Sequence, residues 1–327
     1  MNPLAIAIIG LSFALGAIFV QGLWMERLKP ILKAIETLSS GKTPSELPES
    51  NSKTGKIGKF LNMVAHSLKE LKSAYQDQKR LRKEVNAAQV IQGELLPKTQ
   101  PEFPTMQVFA KVQPASEIGG DAFDFYHPKP GKNLLYLGDS TGHGLPAGMI
   151  MIMVDTLLES FLDQSDDLKE ILHKTNQYLK PHLKPTMFMT LILAEWNAEK
   201  SEFSWVGAGH EHVIHLHAHD QTVTATPTGG IALGMLPDNA AMLKQASVTL
   251  EANDWIVLFS DGITEAKNEK LGTFGLERLK EVVRNHASQN ASPEQVFEKI
   301  ISEVNTFMGS HPQEDDMSLV ILKKMPN

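Results

Sequence analysis

The chain has 327 residues, 42% of them hydrophobic, which is enough material for more than one small domain with a sizeable core. Its formal net charge of −7 disfavours broad electrostatic binding to nucleic acid, so we expect no nucleic-acid partner. The sequence contains no cysteine, which excludes disulfides, cysteine-ligated zinc and phosphate chemistry by a thiolate nucleophile.

The N-terminal segment predicts a transmembrane anchor over residues 1–25. It carries no ionisable side chain, and about 20 apolar helical residues span the roughly 30 Å core of a bilayer. Arg27, Lys29 and Lys33 follow the apolar run. By the positive-inside rule this order predicts a single-pass protein of the cytoplasmic membrane with its C-terminal bulk in the cytoplasm. A cleaved signal peptide and a buried soluble helix are the alternatives.

Residues 26–75 predict a helical module with a connector near its middle. A short amphipathic helix is followed by a stretch over 41–55 rich in Gly, Pro, Ser, Asn and Thr, and a second helix then begins. Pro30, Gly41 and the segment KIGKFLNMVAHSL make this unit resemble a HAMP signalling module.

Residues 76–98 predict a coiled-coil linker helix that ends at Pro97. Apolar residues recur at steps of three and four, and we expect a parallel homodimer that buries them. The phase slips at Gln78, where two steps of three follow one another. This slip indicates a stammer, which would overwind the coiled coil, or else a frayed or monomeric stretch.

Residues 99–327 predict an α+β domain with antiparallel sheets. Seven short apolar runs read as strands: MQVFAKV, NLLYLGDS, MTLILAEWN, EFSWVGAGH, EHVIHLHAH, DWIVLFSDG and MSLVILKK. Two helical blocks, over about 145–180 and 275–308, interrupt them. Strands grouped around helical blocks favour α+β over an alternating βαβ order.

Four acidic motifs lie at strand ends or turns of this domain: GGDAFD (119–124), GDSTGHG (138–144), SDG (260–262) and EDDMS (314–318). One aspartate in a turn is unremarkable. If the four motifs converge, their carboxylates form a hard oxygen site suited to Mg²⁺ or Mn²⁺. Two such ions about 3.5–4 Å apart could clamp a phosphoryl group and activate a bridging water. Spacing along the chain leaves the convergence open.

The ordered set GGDxxD, GDSTGHG, AGH, SDGITEA and EDDMSLVIL resembles the metal-dependent (PPM) phosphatases, in the branch of RsbU-like and sporulation serine phosphatases. The resemblance covers about residues 85–325. It implies an α-β-β-α sandwich of two antiparallel sheets that holds two Mn²⁺ or Mg²⁺ ions. The implied activity is hydrolysis of phosphoserine or phosphothreonine on a regulatory protein, and the expected substrate is a STAS-type anti-anti-sigma factor.

The resemblance also implies a role for individual residues. Asp139 would bridge both ions, Asp121 would serve the second ion, and Asp261 and Asp315 would hold the first. The remaining implied positions are the Ser140 carbonyl as a further ligand, Asp124 and Asp316 behind the ligands or as weaker ones, Gly120 at the turn, and His143 as a catalytic residue that orients water or protonates the leaving oxygen. Packing of the Gly-His-Gly turn is the alternative for His143.

The sequence departs from the family pattern at two points. Ala122 follows Asp121, where this branch usually has an aromatic residue. No counterpart of the phosphate-binding arginine of eukaryotic relatives can be placed, and Lys111 is the nearest upstream cation. Phosphate recognition would then depend on the metal ions.

Two other functions stay open at this point. The chain could be a catalytically silent membrane scaffold that binds the same partners through its coiled coil, or a small-molecule phosphohydrolase. The histidines between His210 and His219 suggest a metal cluster, but alternation along a half-exposed strand explains His215, His217 and His219 as well.

Overall fold

The computed structural model describes residues 29–31, 33, 34, 36, 37, 42, 44–49, 53–142 and 144–326. The predicted anchor at 1–25 and His143 lie outside the described residues. The chain divides into two compact units, Met1–Glu84 and Val85–Asn327. The domain limits at residues 25, 75 and 98 stay a prediction.

The first unit contains a small helical core. Residues 29–37 are helical where they are described, and a long helix, α1 (Lys53–Leu95), begins after the connector. Four apolar side chains from the two helices and the connector form a buried cluster: Ile31, Ala34, Leu47 and Leu61. The carboxamide of Asn62 holds the connector, because it accepts from the Leu47 N–H and donates to the Leu47 carbonyl, both at 2.9 Å.

Helix α1 runs without interruption for 43 residues and passes through Gln78. The phase slip in the sequence therefore changes which side chains share a face and leaves the backbone helical. Leu71 and Tyr75 are 69% and 65% exposed in the single chain. These side chains form an apolar stripe that the chain does not bury by itself.

The described residues of the second unit form twelve strands: β1 (Met106–Gln113), β2 (Asp121–Tyr126), β3 (Asn133–Ser140), β4 (Met189–Asn197), β5 (Glu202–Ala208), β6 (His212–Leu216), β7 (Val223–Pro227), β8 (Gln245–Thr249), β9 (Trp255–Phe259), β10 (Lys267–Asn268), β11 (Gly272–Thr273) and β12 (Met317–Lys324). Ten of them form two five-stranded sheets, ordered β1-β12-β9-β6-β7 and β2-β3-β4-β5-β8, and β10 pairs with β11. All the strand pairs are antiparallel, as predicted.

Helices cover the outer face of each sheet. They are α2 (Leu145–Leu162), α3 (Leu168–Leu179), the single turn α4 (Asp261–Thr264), α5 (Leu276–His286) and α6 (Pro293–Met308). Helices α2 and α3 share a core with the second sheet, and α5 and α6 share one with the first. A third apolar layer joins the two sheets. This arrangement confirms the α-β-β-α sandwich.

Each predicted helical block consists of two helices, because capping residues restart the helix within it. The Asp167 carboxylate accepts from the Lys169 N–H at the start of α3. At the start of α6, the N-cap residue Ser292 forms a capping box with Gln295 in the first turn of the helix. Such caps satisfy backbone N–H groups that have no partner inside the helix.

Three strands of the two sheets, β2, β7 and β8, were not among the predicted apolar runs. The sequences of β7 and β8, VTATP and QASVT, hold few large apolar residues. Both strands stand at a sheet edge, where one long side of the strand has no neighbour to pack against. Short polar edge strands are a known way to avoid unwanted pairing.

Within the described part of the chain, α2 has the length and apolar composition of a membrane-spanning helix. Its apolar side chains are instead buried in the core against the second sheet, among them Ile150, Val154 and Leu158. The helix is therefore a core element of the sandwich.

Candidate metal centre

The first half of the candidate site lies on neighbouring strands of the second sheet. Asp121 begins β2 and faces Asp139 near the end of β3, in register across the antiparallel pair. Because side chains alternate along a strand, the two aspartates share a face with Phe123 and Leu137, which pack between the sheets. The two carboxylates therefore point into the end of the space that separates the sheets.

The other half lies on the first sheet, where β9 ends beside the start of β12. Asp261 is separated from the end of β9 by Ser260 and begins α4, and Asp315 lies two residues before the start of β12. The antiparallel pairing continues beyond the strands, since the Ser260 N–H donates to the Ser318 carbonyl at 3.0 Å. The SDG and EDDMS motifs therefore lie side by side at one end of the first sheet.

Hydrogen bonds join the two halves across the sandwich. The hydroxyl of Ser318 donates to Oδ2 of Asp121. The Asp316 carboxylate accepts from the backbone N–H groups of Gly120 at 2.6 Å and Ala115 at 2.7 Å. The four acidic motifs, which span about two hundred residues of sequence, thus meet at one end of the domain.

The electrostatics of the cluster follow from this proximity. Burial, with the charges of Asp261 and Asp315, raises the pKa of Asp139 to about 8. Burial and the neighbouring Asp139 also hold the pKa of Asp121 well above its usual range. For Asp261, burial and Asp315 raise the pKa to about 6. The carboxylates therefore repel one another when they are all ionised.

Such a donor set fits divalent cations. Buried carboxylates that lie close together must either be protonated or be neutralised by a bound cation. Carboxylate and carbonyl oxygens are the ligands that Mg²⁺ and Mn²⁺ prefer. Asp121, Asp139, Asp261 and Asp315 could hold such ions. Asp316 is occupied differently, because its oxygens accept three backbone N–H groups, from residues 115, 120 and 121.

Of the other predicted residues, Asp124 lies away from this cluster and Ser140 lies next to it. Asp124 lies on the opposite face of β2, where burial and the charges of Asp155 and Glu159 on α2 raise its pKa to about 6. The structure therefore does not bring Asp124 into the cluster. Ser140 adjoins it: its hydroxyl donates to the Gly120 carbonyl at 3.1 Å.

No role was predicted for Ser260 of the SDG motif or for Ser318 of the EDDMS motif. Ser260 accepts from the Ser318 N–H at 2.9 Å, and both side-chain hydroxyls lower the pKa of Asp121 from what burial alone would give. The signal was present in the period of two that places Asp316 and Ser318 on one face at the start of β12. Glu211 was also missed, although its charge contributes to the raised pKa of Asp261.

A short polar chain extends the cluster on the side of β4. Thr190 lies opposite Asp139 in the β3–β4 pairing, and its hydroxyl is 3.0 Å from Nδ1 of His210. Burial lowers the pKa of His210 to about 4, so the ring is neutral. The AGH motif therefore packs directly behind Asp139.

Lys111 has no place in the site. Its ammonium lies 3.8 Å from Glu298 and 5.5 Å from the centre of the Phe297 ring, both on α6. These contacts place the Lys111 side chain on the outer, helix-covered face of the first sheet, whereas the aspartates face the space between the sheets.

The sandwich is the PP2C fold, and the family and the phosphatase that the chain matches identify it as a protein serine phosphatase of the PP2C type. The chain belongs to the Stage II sporulation protein E (SpoIIE) family, whose model matches residues 129–324.

Individual relatives agree with this assignment. Phosphoserine phosphatase RsbU of Bacillus subtilis (strain 168) is 28% identical over 247 residues, covering 76% of this chain and 72% of that protein. The SiaA-PP2C domain of Pseudomonas aeruginosa superposes with a TM-score of 0.64 at 21% identity, covering 76% of this chain and 98% of that domain. RsbX, solved in complex with magnesium, superposes with a TM-score of 0.51 at 17% identity, covering 68% of this chain and 97% of that one. At these identities the two structures establish the fold alone.

Proposed function

We propose that the chain hydrolyses phosphoserine or phosphothreonine on a regulatory protein, with two Mn²⁺ or Mg²⁺ ions held by Asp121, Asp139, Asp261, Asp315 and the Ser140 carbonyl. The observation that carries the proposal is the hydrogen bond from Ser318 to Asp121, which ties the acidic motifs of the two sheets to one point. A cluster held in this way is pre-organised to bind cations.

In this proposal each residue has a distinct task. Asp139, whose pKa is raised mainly by burial and by Asp261, would be the ligand shared by the two ions. Asp121, which accepts a hydrogen bond from the hydroxyl of Ser318, would hold one ion, and Asp261 and Asp315 would hold the other. Bound divalent cations would lower the pKa of a water and neutralise charge on the phosphoryl oxygens. Asp316 holds the turn at Gly120 in place. His143 stays a proposed acid or water-orienting residue.

The proposed class of substrate is inferred from the relatives of this chain. RsbU is named a phosphoserine phosphatase, and a STAS-type anti-anti-sigma factor is the substrate that we propose for this chain. Candidate STAS proteins, phosphorylated on serine, can be offered one at a time to the purified enzyme, and a phosphorylated small molecule serves as comparison. Release from the small molecule alone would favour the phosphohydrolase alternative.

We further propose that residues 1–25 anchor the protein in the cytoplasmic membrane with the catalytic domain in the cytoplasm. Residues 26–75 would act as a HAMP-like module and residues 76–98 as a coiled-coil linker in a homodimer. The buried cluster around Leu61 and the exposed Leu71 and Tyr75 support a module that continues into a paired helix. Sedimentation of the full-length protein with and without Leu71→Glu would test the dimer.

The central experiment compares Asp139→Asn with Asp163→Asn. Asp163 is an exposed residue after α2 and is a matched control. We expect Asp139→Asn to lower Mn²⁺-dependent phosphate release by at least about 100-fold, since loss of a residue behind the ligands alone typically costs 10- to 100-fold. Asp163→Asn should keep wild-type activity. Equal release from both variants would exclude the metal mechanism, whereas no release from the wild-type protein would favour the scaffold.

A further inference from the structure

A second group of metal-ligating side chains lies at the other end of the first sheet. His215 is on β6, His217 follows that strand, and Asp254 precedes β9. One ligand atom from each of the three lies within 4.8 Å of the others. Since β9 leads from Asp254 to the aspartate cluster over five residues, about 17 Å of strand separates the two groups.

His215 is more buried than the sequence suggested, whereas His217 is half-buried. Alternation along a half-exposed strand was expected for the histidines, but β6 ends at Leu216 and His215 is buried. His215 shares the inner face of β6 with Val213, which packs between the sheets. Its Nε2 lies 3.1 Å from Oδ2 of Asp254, and the rings of His215 and His217 are 3.8 Å apart.

Backbone hydrogen bonds fix two of the three residues, Asp254 and His217. The Asp254 carboxylate accepts from the N–H groups of Ala218 at 2.8 Å and Glu251 at 3.0 Å. His217 is held in the β6–β7 turn, where its N–H donates to the Thr222 carbonyl at 2.9 Å. These two ligands are therefore positioned by the main chain of two turns, which lowers the ordering cost of binding.

We propose that His215, His217 and Asp254 form a binding site for Zn²⁺ or a similar transition-metal ion, separate from the aspartate centre. Two imidazoles and a carboxylate are a common zinc ligand set. Zinc–nitrogen and zinc–oxygen bonds of about 2.0–2.1 Å in a tetrahedron place ligand atoms about 3.3 Å apart, close to the separation of His215 Nε2 and Asp254 Oδ2. The fourth position would be filled by water.

The bound ion would cross-link two loops of the domain. His217 and Ala218 belong to the turn after β6, whereas Asp254 belongs to the loop between β8 and β9. In the structure, Nε2 of His215 contacts Asp254, and this contact does not include His217. A metal ion would bind one ring nitrogen of each histidine together with the Asp254 carboxylate, and would thereby stabilise this end of the sheet.

The test uses the full-length protein in excess Mg²⁺, so that the aspartate centre is occupied by a hard cation. His217→Ala removes one ligand, and His219→Ala is the matched control because His219 is 63% exposed and lies outside the trio. We expect wild type and His219→Ala to bind one more equivalent of Zn²⁺ than His217→Ala, with Zn²⁺ raising Tm in the first two proteins alone.

Co²⁺ gives an independent readout. A tetrahedral site with nitrogen ligands shows intense visible absorption, whereas an octahedral oxygen site absorbs weakly, so the aspartate centre would not imitate the signal. We expect the intense bands in wild type and His219→Ala and their loss in His217→Ala. His217→Gln serves as a second variant should alanine unfold the turn. Equal zinc stoichiometry and equal Co²⁺ spectra in all the proteins would overturn the proposal.

Discussion

At the scale of single residues, the aspartate centre depends on groups that do not themselves face a cation. Asp316 accepts three backbone N–H groups and so fixes the turn before β2. Ser318 donates to Asp121 and directs that carboxylate. Groups of this kind restrict the orientation of a ligand and tune its charge. The two residues belong to one motif of β12, but they act on β2 in the other sheet.

The role of Ser318 can be tested by removing its hydroxyl. In Ser318→Ala, Asp121 loses a buried donor, and we expect the Mn²⁺ concentration for half-maximal activity to rise about 10- to 100-fold. Ser302→Ala, at an exposed position on α6, should leave the metal dependence unchanged. Metal titrations of phosphate release measure both. Superimposable curves would mean that the hydrogen bond does not position Asp121 for metal binding.

The raised pKa values predict how the protein without metal responds to pH. Asp139 and Asp261 have pKa values of about 8 and about 6 in the folded chain, against about 4 in an unfolded one. The folded state therefore holds these protons more tightly, and its stability falls as pH rises from about 4 through these values. Each group contributes a slope of at most about 1.4 kcal/mol per pH unit.

Denaturant unfolding in EDTA at several pH values measures this slope. We expect Asp139→Asn to flatten the decline above pH ~6, both because Asp139 no longer loses a proton there and because its charge no longer raises the pKa of Asp121. Asp163→Asn should reproduce the wild-type profile. Saturating Mg²⁺ should reverse the decline, because cations favour the ionised carboxylates. An identical slope in wild type and Asp139→Asn would contradict the assignment of the high pKa to Asp139.

At the scale of elements, the centre is made by strand ends and the turns that join them. The turn before β2 must bring Gly120 against the backbone that follows β3. A Cβ at Gly120 would lie 2.9 Å from the carbonyl oxygens of Ser140 and Gly142, which is closer than ordinary contacts allow. Glycine is therefore required here for a close approach of two backbones.

Gly120→Ala should force those two turns apart. We expect about a 10-fold or greater loss of activity, because small displacements of catalytic groups are costly, together with a loss of about 1–3 kcal/mol in the free energy of unfolding. Gly93→Ala is the control, since no atom lies within 4 Å of its added Cβ, and it should retain stability or gain up to about 1 kcal/mol in its helix. Full activity in Gly120→Ala would show that the turn accommodates the methyl group.

At the scale of the whole molecule, α1 is the element shared by the two units. Its 43 residues are continuously helical across the unit boundary at residue 84. We propose that the linker, over about 75–95, is the regulatory connection, and that a rotation of α1 is the signal it transmits.

Insertions after Arg82 test that connection. Seven residues turn the following part of an α-helix by about 20°, three by about 60° and four by about 40°, so only the heptad nearly preserves the face. We expect the seven-residue insertion to keep the regulated activity of the full-length protein in lipid vesicles, and the three- and four-residue insertions to change it. Identical phosphatase activity in all three would contradict rotational coupling through α1.

The sequence by itself determined a large part of this protein. Short apolar runs bounded by Gly, Pro, Asn and Asp identified seven of the sheet strands, because a strand buried within the sandwich leaves a local run of apolar residues, and the two helical blocks were found between those runs. The ordered motifs, through their family resemblance, indicated the sandwich and the aspartates of the candidate centre. The polar edge strands β7 and β8 carried too little apolar signal to be found.

Only the tertiary structure decided the surroundings of each side chain. It placed Asp124 towards α2, assigned the Asp316 carboxylate to backbone N–H groups, and buried His215 beside Asp254. These outcomes depend on which distant strands become neighbours and in what register. A local pattern fixes the faces of a strand, whereas hydrogen bonding and charge are set by whatever the packed sheets bring against those faces.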